Sequence, residues 1–401
     1  MINKRLERLT KNNSAIRSMF EEGKKLSTIY GEENVFDFSL GNPCAESPEI
    51  VKETIFECLN NNSSMALHGY MSNAGYTFVR EAIADNLNKK ADNHYTVNNI
   101  VMVVGAAGGL NCVLQALLND NDEVIVIAPF FLEYTNYIEN WGGKTIVANA
   151  EDETFQISIK NIEESISIRT KAVIVNNPNN PTGVVYTENN LRELSRLLEQ
   201  KSNELGHPIY IISDEPYREL VYDGVKVPFI PNIYKNTIIV YSWSKSLSLP
   251  GERIGYIAIS PTAQDSELLF NSVTVSNRIL GFVNAPSLMQ HVVSKCLECE
   301  PKLSLYDKNR FVLYKELTRI GYKCVYPQGA FYLWVKTPCS EDLFIEKAKQ
   351  FKLLLVGGKA FCREGYVRIA YCVSEKKVNN SIKAFQDLWS CLKKLCDLII
   401  I

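Results

Sequence analysis

A single lysine stands between two serines in Tyr241-Ser242-Trp243-Ser244-Lys245-Ser246, directly after the apolar run Thr237-Ile238-Ile239-Val240. A lysine held at the end of a buried strand can lose proton affinity and so become a nucleophile towards carbonyl carbon. Ser242, just before it, and Arg253, beyond the Pro250-Gly251 turn, suit the oxygens of a phosphate ester. Together these groups describe an amine that forms a Schiff base with an aldehyde carrying a phosphate. An isolated Ser-x-Ser-Lys is more often a surface turn with a solvated lysine. The residues at the ends of the other strands argue against that reading.

In an open parallel sheet, ligands bind at the carboxyl ends of the strands. The run Ile100–Val104 enters Gly105-Ala106-Ala107-Gly108-Gly109, where small residues at a helix start let free N–H groups approach an anion. Close packing of helix on strand would select the same residues, and no G-x-G-x-x-G marks a dinucleotide loop. After Ala172–Val175 comes Asn176-Asn177-Pro178-Asn179-Asn180-Pro181-Thr182-Gly183. Its two Asn-Pro steps fix a rigid turn, from which an amide such as that of Asn180 can serve a ring oxygen or a carboxylate. Asp214 follows the apolar Ile209–Ile212 closely, where an unpaired carboxylate is costly. A protonated pyridine nitrogen would pair with it and stay charged, making the ring an electron sink. Tyr217 could then reach the phenolic oxygen of that ring. The competing reading of Asp214 is a helix N-cap. Arg368, in a later strand, offers a two-pronged site for a carboxylate.

The elements that must hold these residues follow from periodicity. Helical spacing is expected over 14–30 (with Ile16, Met19, Phe20 and Leu26 packed), 48–60 and 77–90, with a Gly- and aromatic-rich loop at His68–Tyr76. Seven Val/Ile-rich runs, at 100–104, 124–127, 145–148, 172–175, 209–212, 238–241 and 256–259, read as strands apolar on both faces. Alternating with helices such as Leu191–Leu198, they predict an α/β fold, a mainly parallel seven-stranded sheet between helices. Beyond about residue 290, alternating strands at 331–335 and 366–371 and helices at 341–351 and 376–396 predict a smaller α+β domain. The expected division is 46–289 for the large domain and 1–45 with 290–401 for the small one.

Composition narrows the function. The 401 residues carry 43 basic and 45 acidic side chains, net charge −2, with no basic stripe to bind nucleic acid. Met1–Ser14 lacks the apolar run of a signal peptide, and the tail Leu398–Ile401 is too short to cross a membrane; it is expected to pack on a helix. Eleven scattered cysteines read as reduced thiols in the cytoplasm. Cys296 and Cys299, near His291, could be a metal or redox pair, but without a second pair they read as two thiols on a helix, and no metal is expected.

Asn-Pro-Thr-Gly, then Asp-x-x-Tyr, then Ser-x-Ser-Lys with Pro-Gly-x-Arg resembles, in order and spacing, the class I/II aminotransferases of fold type I. The likeness runs from Ser39-Leu40-Gly41-Asn42-Pro43 to Arg368. It implies pyridoxal 5′-phosphate as cofactor and transfer of an amino group from an L-amino acid to a 2-oxo acid. By the same resemblance Lys245 forms the Schiff base and, once freed, removes the substrate α-proton. Asp214 partners the pyridine nitrogen, while Tyr217 and Asn180 bond the ring oxygen. Ser242, Arg253 and the backbone of Ala106 and Ala107 hold the phosphate, as does Tyr70 from across a homodimer interface. Phe131 stacks on the ring, and Gly41, Asn180 and Arg368 hold the α-carboxylate. Three departures stand out: Ala107 lacks a hydroxyl or amine, Phe131 replaces Trp or Tyr, and Gly357–Cys362 replaces Pro-Gly-x-x-Phe-Gly. Lys359 or Cys362 could therefore reshape the pocket, and Arg278 and Lys359 are candidate contacts for an acidic donor. The same site would suit a β-eliminating carbon–sulfur lyase or an aminocyclopropane-carboxylate synthase. A non-catalytic ligand sensor is the remaining alternative; such proteins carry a DNA-binding module for which this sequence is expected to have no room.

Overall fold

A computed structural model describes residues 2, 4–11 and 15–399. Its large sheet contains β1 (Ile100–Val103), β2 (Glu123–Ala128), β3 (Lys144–Asn149), β4 (Thr170–Asn176), β5 (Tyr210–Asp214), β6 (Thr237–Ser242) and β7 (Gly255–Ile259). The spatial order is β1-β7-β6-β5-β4-β2-β3. Only β7 runs against its neighbours; every other pairing is parallel. Helices Gly105–Leu117 and Ser266–Ile279 cover one face, burying Leu110, Val113, Leu114, Leu269 and Val273 against Val126, Ile212 and Val240. Glu188–Leu205 covers part of the other face with the stripe Leu191, Leu194 and Leu198. Thr187 caps that helix by accepting from Asn190 N–H.

The expectation that all seven strands are apolar on both faces fails at β3. It has one neighbour only, and Val147 is 44% exposed between the exposed Lys144 and Asn149. The opposite edge strand, β1, is buried throughout, so edge position alone does not expose a strand.

The smaller sheet contains β8 (Lys323–Val325), β9 (Tyr332–Lys336), β10 (Val356–Gly357) and β11 (Tyr366–Ala370), in the order β10-β11-β9-β8 and antiparallel throughout. β8 and β10 are too short to show a two-residue period, which is why periodicity missed them. Helices Ser304–Ile320, Glu341–Gln350 and Glu375–Ile399 pack here. Phe36–Asp37 pairs in parallel with Leu353–Leu354, so the N-terminal segment joins this layer. The expected helix at 14–30 is found over Ala15–Tyr30. Ser14, the side chain of Ile16 and the packing of the tail Leu398–Ile401 lie outside the described residues. A short helix, Ser64–His68, takes up the start of the loop expected at His68–Tyr76.

Registers explain where a site forms. Asn176, the last residue of β4, lies beside Asp214, the last of β5, and Asp214 lies beside Val240 two residues before the end of β6. Parallel pairing thus sets three chemically distinct strand ends side by side.

Candidate active site

A cavity of about 290 Å³ opens at these strand ends, and β9 and β11 of the smaller sheet close it. Its wall includes Lys245, Asp214, Tyr217, Asn180, Ser242 and Arg253. Gly41, Ala106, Ala107, Phe131 and Arg368 complete the expected set. Tyr70 is not on the wall; it is 93% exposed.

Lys245 sits on the one-turn helix Trp243–Ser246, capped by the Ser242 hydroxyl, which accepts from Ser244 N–H at 3.2 Å. Its Nζ donates to the carbonyl of Gly41 at 2.7 Å, with no acidic partner recorded. Burial, helped by Arg368 and Arg253, brings its pKa down to about 8. The amine is therefore far closer to its free-base form than a surface lysine.

Asp214 is 5% exposed and is a strand residue, not the helix cap of the competing reading. Tyr134 donates to its Oδ2 at 2.5 Å, while Oδ1 is buried without a hydrogen-bond partner. Burial pushes its pKa up to about 7, a rise that the Tyr134 bond opposes and Glu215 adds to. A buried carboxylate oxygen without a donor is unfavourable. A ring N–H⁺ in the cavity would satisfy it.

Arg368 is 2% exposed yet bonds only neutral oxygens: Nη1 to Asn180 Oδ1 at 3.0 Å and Nη2 to Ser39 O at 2.6 Å. Its Nε has no partner. The rings of Tyr332 and Phe361 lie 4.5 and 4.9 Å from the guanidinium carbon. Such a buried cation is suited to an anionic ligand.

At the other end of the cavity Arg253, with φ 53°, donates to Pro250 O at 3.0 Å and to Val104 O at 3.4 Å. Gly105 begins the neighbouring helix at φ +74°, and a Cβ there would come within 2.8 Å of Arg253 Nη2. The glycine keeps a cradle open between the guanidinium and the helix N-terminus, the setting that holds phosphate. The donor set therefore fits a phosphorylated pyridine aldehyde: amine, ring-nitrogen partner and anion cradle line one cavity.

Sequence reasoning missed Tyr134, Asn176 and Tyr332. Tyr134 holds Asp214, Asn176 donates to the Asp214 carbonyl at 3.0 Å, and Tyr332 shares a 2.8 Å hydrogen bond with Tyr217. Asn176 lay within the quoted Asn-Pro segment; the two tyrosines had no local signal. Two expectations, those for Lys359 and Cys362, need correction. Lys359 lies at the surface, bound by Asp342 at 2.7 Å and Glu364 at 3.2 Å, and so cannot read an acidic donor in this cavity. Arg278, like Tyr70, is exposed and off the wall of this chain's own cavity. Cys362 faces a separate surface cleft; it is the preceding Phe361 that packs on Arg368. Cys296 is buried and its thiol is pushed up to about 12, first by burial and then by Cys299, while His291 packs on Tyr76 and Phe78. Among the described residues no group of three His, Cys, Asp or Glu could hold a metal ion.

Residues 33–385 match the family model for aminotransferase class I and II, and the chain belongs to that family. It is 30% identical to a probable aspartate/prephenate aminotransferase of Aquifex aeolicus, over 87% of this chain and 90% of that one. With aromatic-amino-acid aminotransferase 2 of Thermococcus litoralis the identity is 29%, over 92% and 94%. Among solved structures, an amino transferase from Eubacterium rectale superposes with a TM-score of 0.95 at 45% identity, covering 97% of this chain and 98% of that one. Aspartate aminotransferase of Thermus thermophilus with maleate gives 0.85 at 26% identity, over 97% and 99%. The chain is thus an enzyme, an aminotransferase acting on amino and 2-oxo acids; lyase, synthase and sensor readings are not favoured by these relatives. Members of the family generally use pyridoxal 5′-phosphate. No described helix is long and apolar enough to cross a membrane.

Proposed function

We propose that this enzyme is a pyridoxal 5′-phosphate-dependent aminotransferase that moves an amino group from an L-amino acid to a 2-oxo acid through Lys245. One observation carries the reading: the depressed amine of Lys245 and the buried, half-partnered carboxylate of Asp214 line the same cavity. Bound pyridoxal phosphate would supply the aldehyde carbon and a sink for the charge left when a proton leaves the substrate. Arg253, Ser242 and the amides of Ala106 and Ala107 would hold its phosphate; Asp214 would hold the ring nitrogen, Tyr217 and Asn180 the ring oxygen, and Phe131 the ring face.

The chain's own residues do the rest. Arg368 takes the substrate α-carboxylate, steered by Asn180 Oδ1 and Ser39 O, with Gly41 beside it. Lys245 Nζ, once released from the Gly41 carbonyl, serves as the general base for the substrate α-proton. Its pKa near 8 leaves an appreciable free-base fraction at neutral pH. Asp214, held by Tyr134, stabilises positive charge on the ring nitrogen.

The active form is proposed as a homodimer in which Tyr70 reaches the partner's phosphate site; its 93% exposure and that of Met65 at 82% fit an interface. The working division is a large domain over 46–289 and a small one of 1–45 with 290–401. A thiol-rich composition supports a cytoplasmic location.

Borohydride reduction of the holoenzyme and peptide mapping test the assignment. The cofactor should be trapped on Lys245, and a mark on another residue, or none, overturns the reading. Donor range is read from amino acids tested singly against one oxo acid, beginning with the aspartate and aromatic donors in the relatives' names.

A further inference from the structure

We infer that Tyr332 is a positioning residue for amino transfer, holding Tyr217 through a shared hydrogen bond and Arg368 through its ring; this rests on the roles proposed for those two residues. Tyr332 opens β9, is 2% exposed and lies opposite Ala370 on β11. Arg368 lies opposite Trp334, so Tyr332 and Arg368 are diagonal neighbours across two strands, a spacing within reach of long side chains. The guanidinium carbon is 4.5 Å from the ring centre. The Tyr332 hydroxyl is 2.8 Å from that of Tyr217, with the ring planes at 79°. A Cβ on Gly41 would come within 2.1 Å of the same hydroxyl, and Gly41 is the residue whose carbonyl receives Lys245. One side chain thus touches the partners of the ring oxygen, the carboxylate and the amine.

The chemistry follows from counting protons. Each phenol has a single hydrogen to give. If Tyr217 gives its hydrogen to an acceptor in the cavity, the shared bond requires Tyr332 to donate to Tyr217. Hydrogen bonds in series polarise one another, so the Tyr332 hydroxyl makes Tyr217 a stronger and better-aimed donor. The ring, independently, gives the buried Arg368 cation a π face in place of a carboxylate partner. A phenylalanine keeps the second role and loses the first; a methionine loses both while retaining bulk.

The test uses the holoenzymes of wild type, Tyr332→Phe, Tyr332→Met, Tyr217→Phe and Tyr217→Phe/Tyr332→Phe. Tyr332→Phe should move the pH midpoint of the bound cofactor's visible absorption by about half a unit, in the same direction as Tyr217→Phe. It should lower kcat on the order of fivefold and leave KM for the donor within about twofold. Adding Tyr332→Phe to Tyr217→Phe should change neither readout further. Tyr332→Met should also raise KM by roughly tenfold. An unmoved midpoint in Tyr332→Phe, or full additivity in the double variant, overturns the hydroxyl's role; an unchanged KM in Tyr332→Met overturns the ring's. Absence of any absorbing species from wild type given cofactor would instead overturn the cofactor assignment itself, and this inference with it. Should the methionine variant fail to fold, Tyr332→Leu takes its place, and an unchanged KM there overturns the ring's role in the same way.

Discussion

The floor and the rim of the cavity are built on different principles. On the floor, Asp214, Asn176, Tyr217, Tyr332 and Arg368 are buried and hydrogen-bonded within the protein, Asn176 to Asp214, Tyr217 to Tyr332 and Arg368 to Asn180. At the rim, Arg253 is exposed and bonds only backbone carbonyls, and Tyr70 stands in solvent. Floor groups derive their chemistry from burial: the Lys245 and Asp214 pKa values both shift towards neutrality, each with burial as the leading cause. Rim groups keep ordinary solvation and depend on whatever docks against them. Substitutions on the floor should therefore act on chemistry, and those at the rim on the binding of whatever docks there.

The comparison breaks most sharply at Lys245. Lys245→Ala should reduce turnover by on the order of 10⁴-fold while the protein still folds, as checked by steady-state rates and thermal melting. Retention of near-wild-type turnover would remove the floor's central residue from the mechanism. Arg368→Ala should raise KM for amino-acid donors on the order of 100-fold, through loss of the buried charge partner. A fall in kcat with KM unchanged would contradict a ground-state carboxylate contact.

The Asp214 carboxyl sharpens the comparison through pH. Its folded pKa of about 7 lies above the ordinary 3.8, so the folded chain holds a proton that the unfolded chain has released. The resulting stability is fully present below the ordinary value and is lost as pH rises through about 7. Over the whole titration, roughly three units, this is on the order of 4 kcal/mol. Cofactor-free protein should lose melting temperature between about pH 4 and 7 relative to Asp214→Asn and change little above that. Parallel curves for the two would show that Asp214 titrates as an ordinary carboxylate. The smallest effect is expected at Lys359, whose ion pairs are at the surface. Lys359→Ala should leave the melting temperature and the KM for any amino-acid donor unaltered.

The same division explains what the sequence made legible. Lys245, Asp214 and Asn180 lie within or beside apolar runs with turn residues attached, so strand ends and spacing revealed them. Tyr134 and Tyr332 sit in ordinary apolar contexts, and their importance comes from partners 80 and 115 residues away in sequence. Nothing local encodes such a meeting. The seven long strands were legible because six are buried almost throughout and so apolar along their length; β8 and β10 were not, being held by neighbours more than by their own pattern. Lys359 and Cys362 misled because a changed motif was read as a changed pocket, whereas the backbone turns both away from it.

Asp214 Oδ1 and Arg368 Nε, one oxygen and one nitrogen of opposite charge, are both buried with a bonding position unused. Any small molecule that engages either group stabilises the native chain in proportion to its affinity and concentration. Melting-temperature shifts across a library of carboxylates and pyridines can thus rank natural ligands before any turnover assay exists.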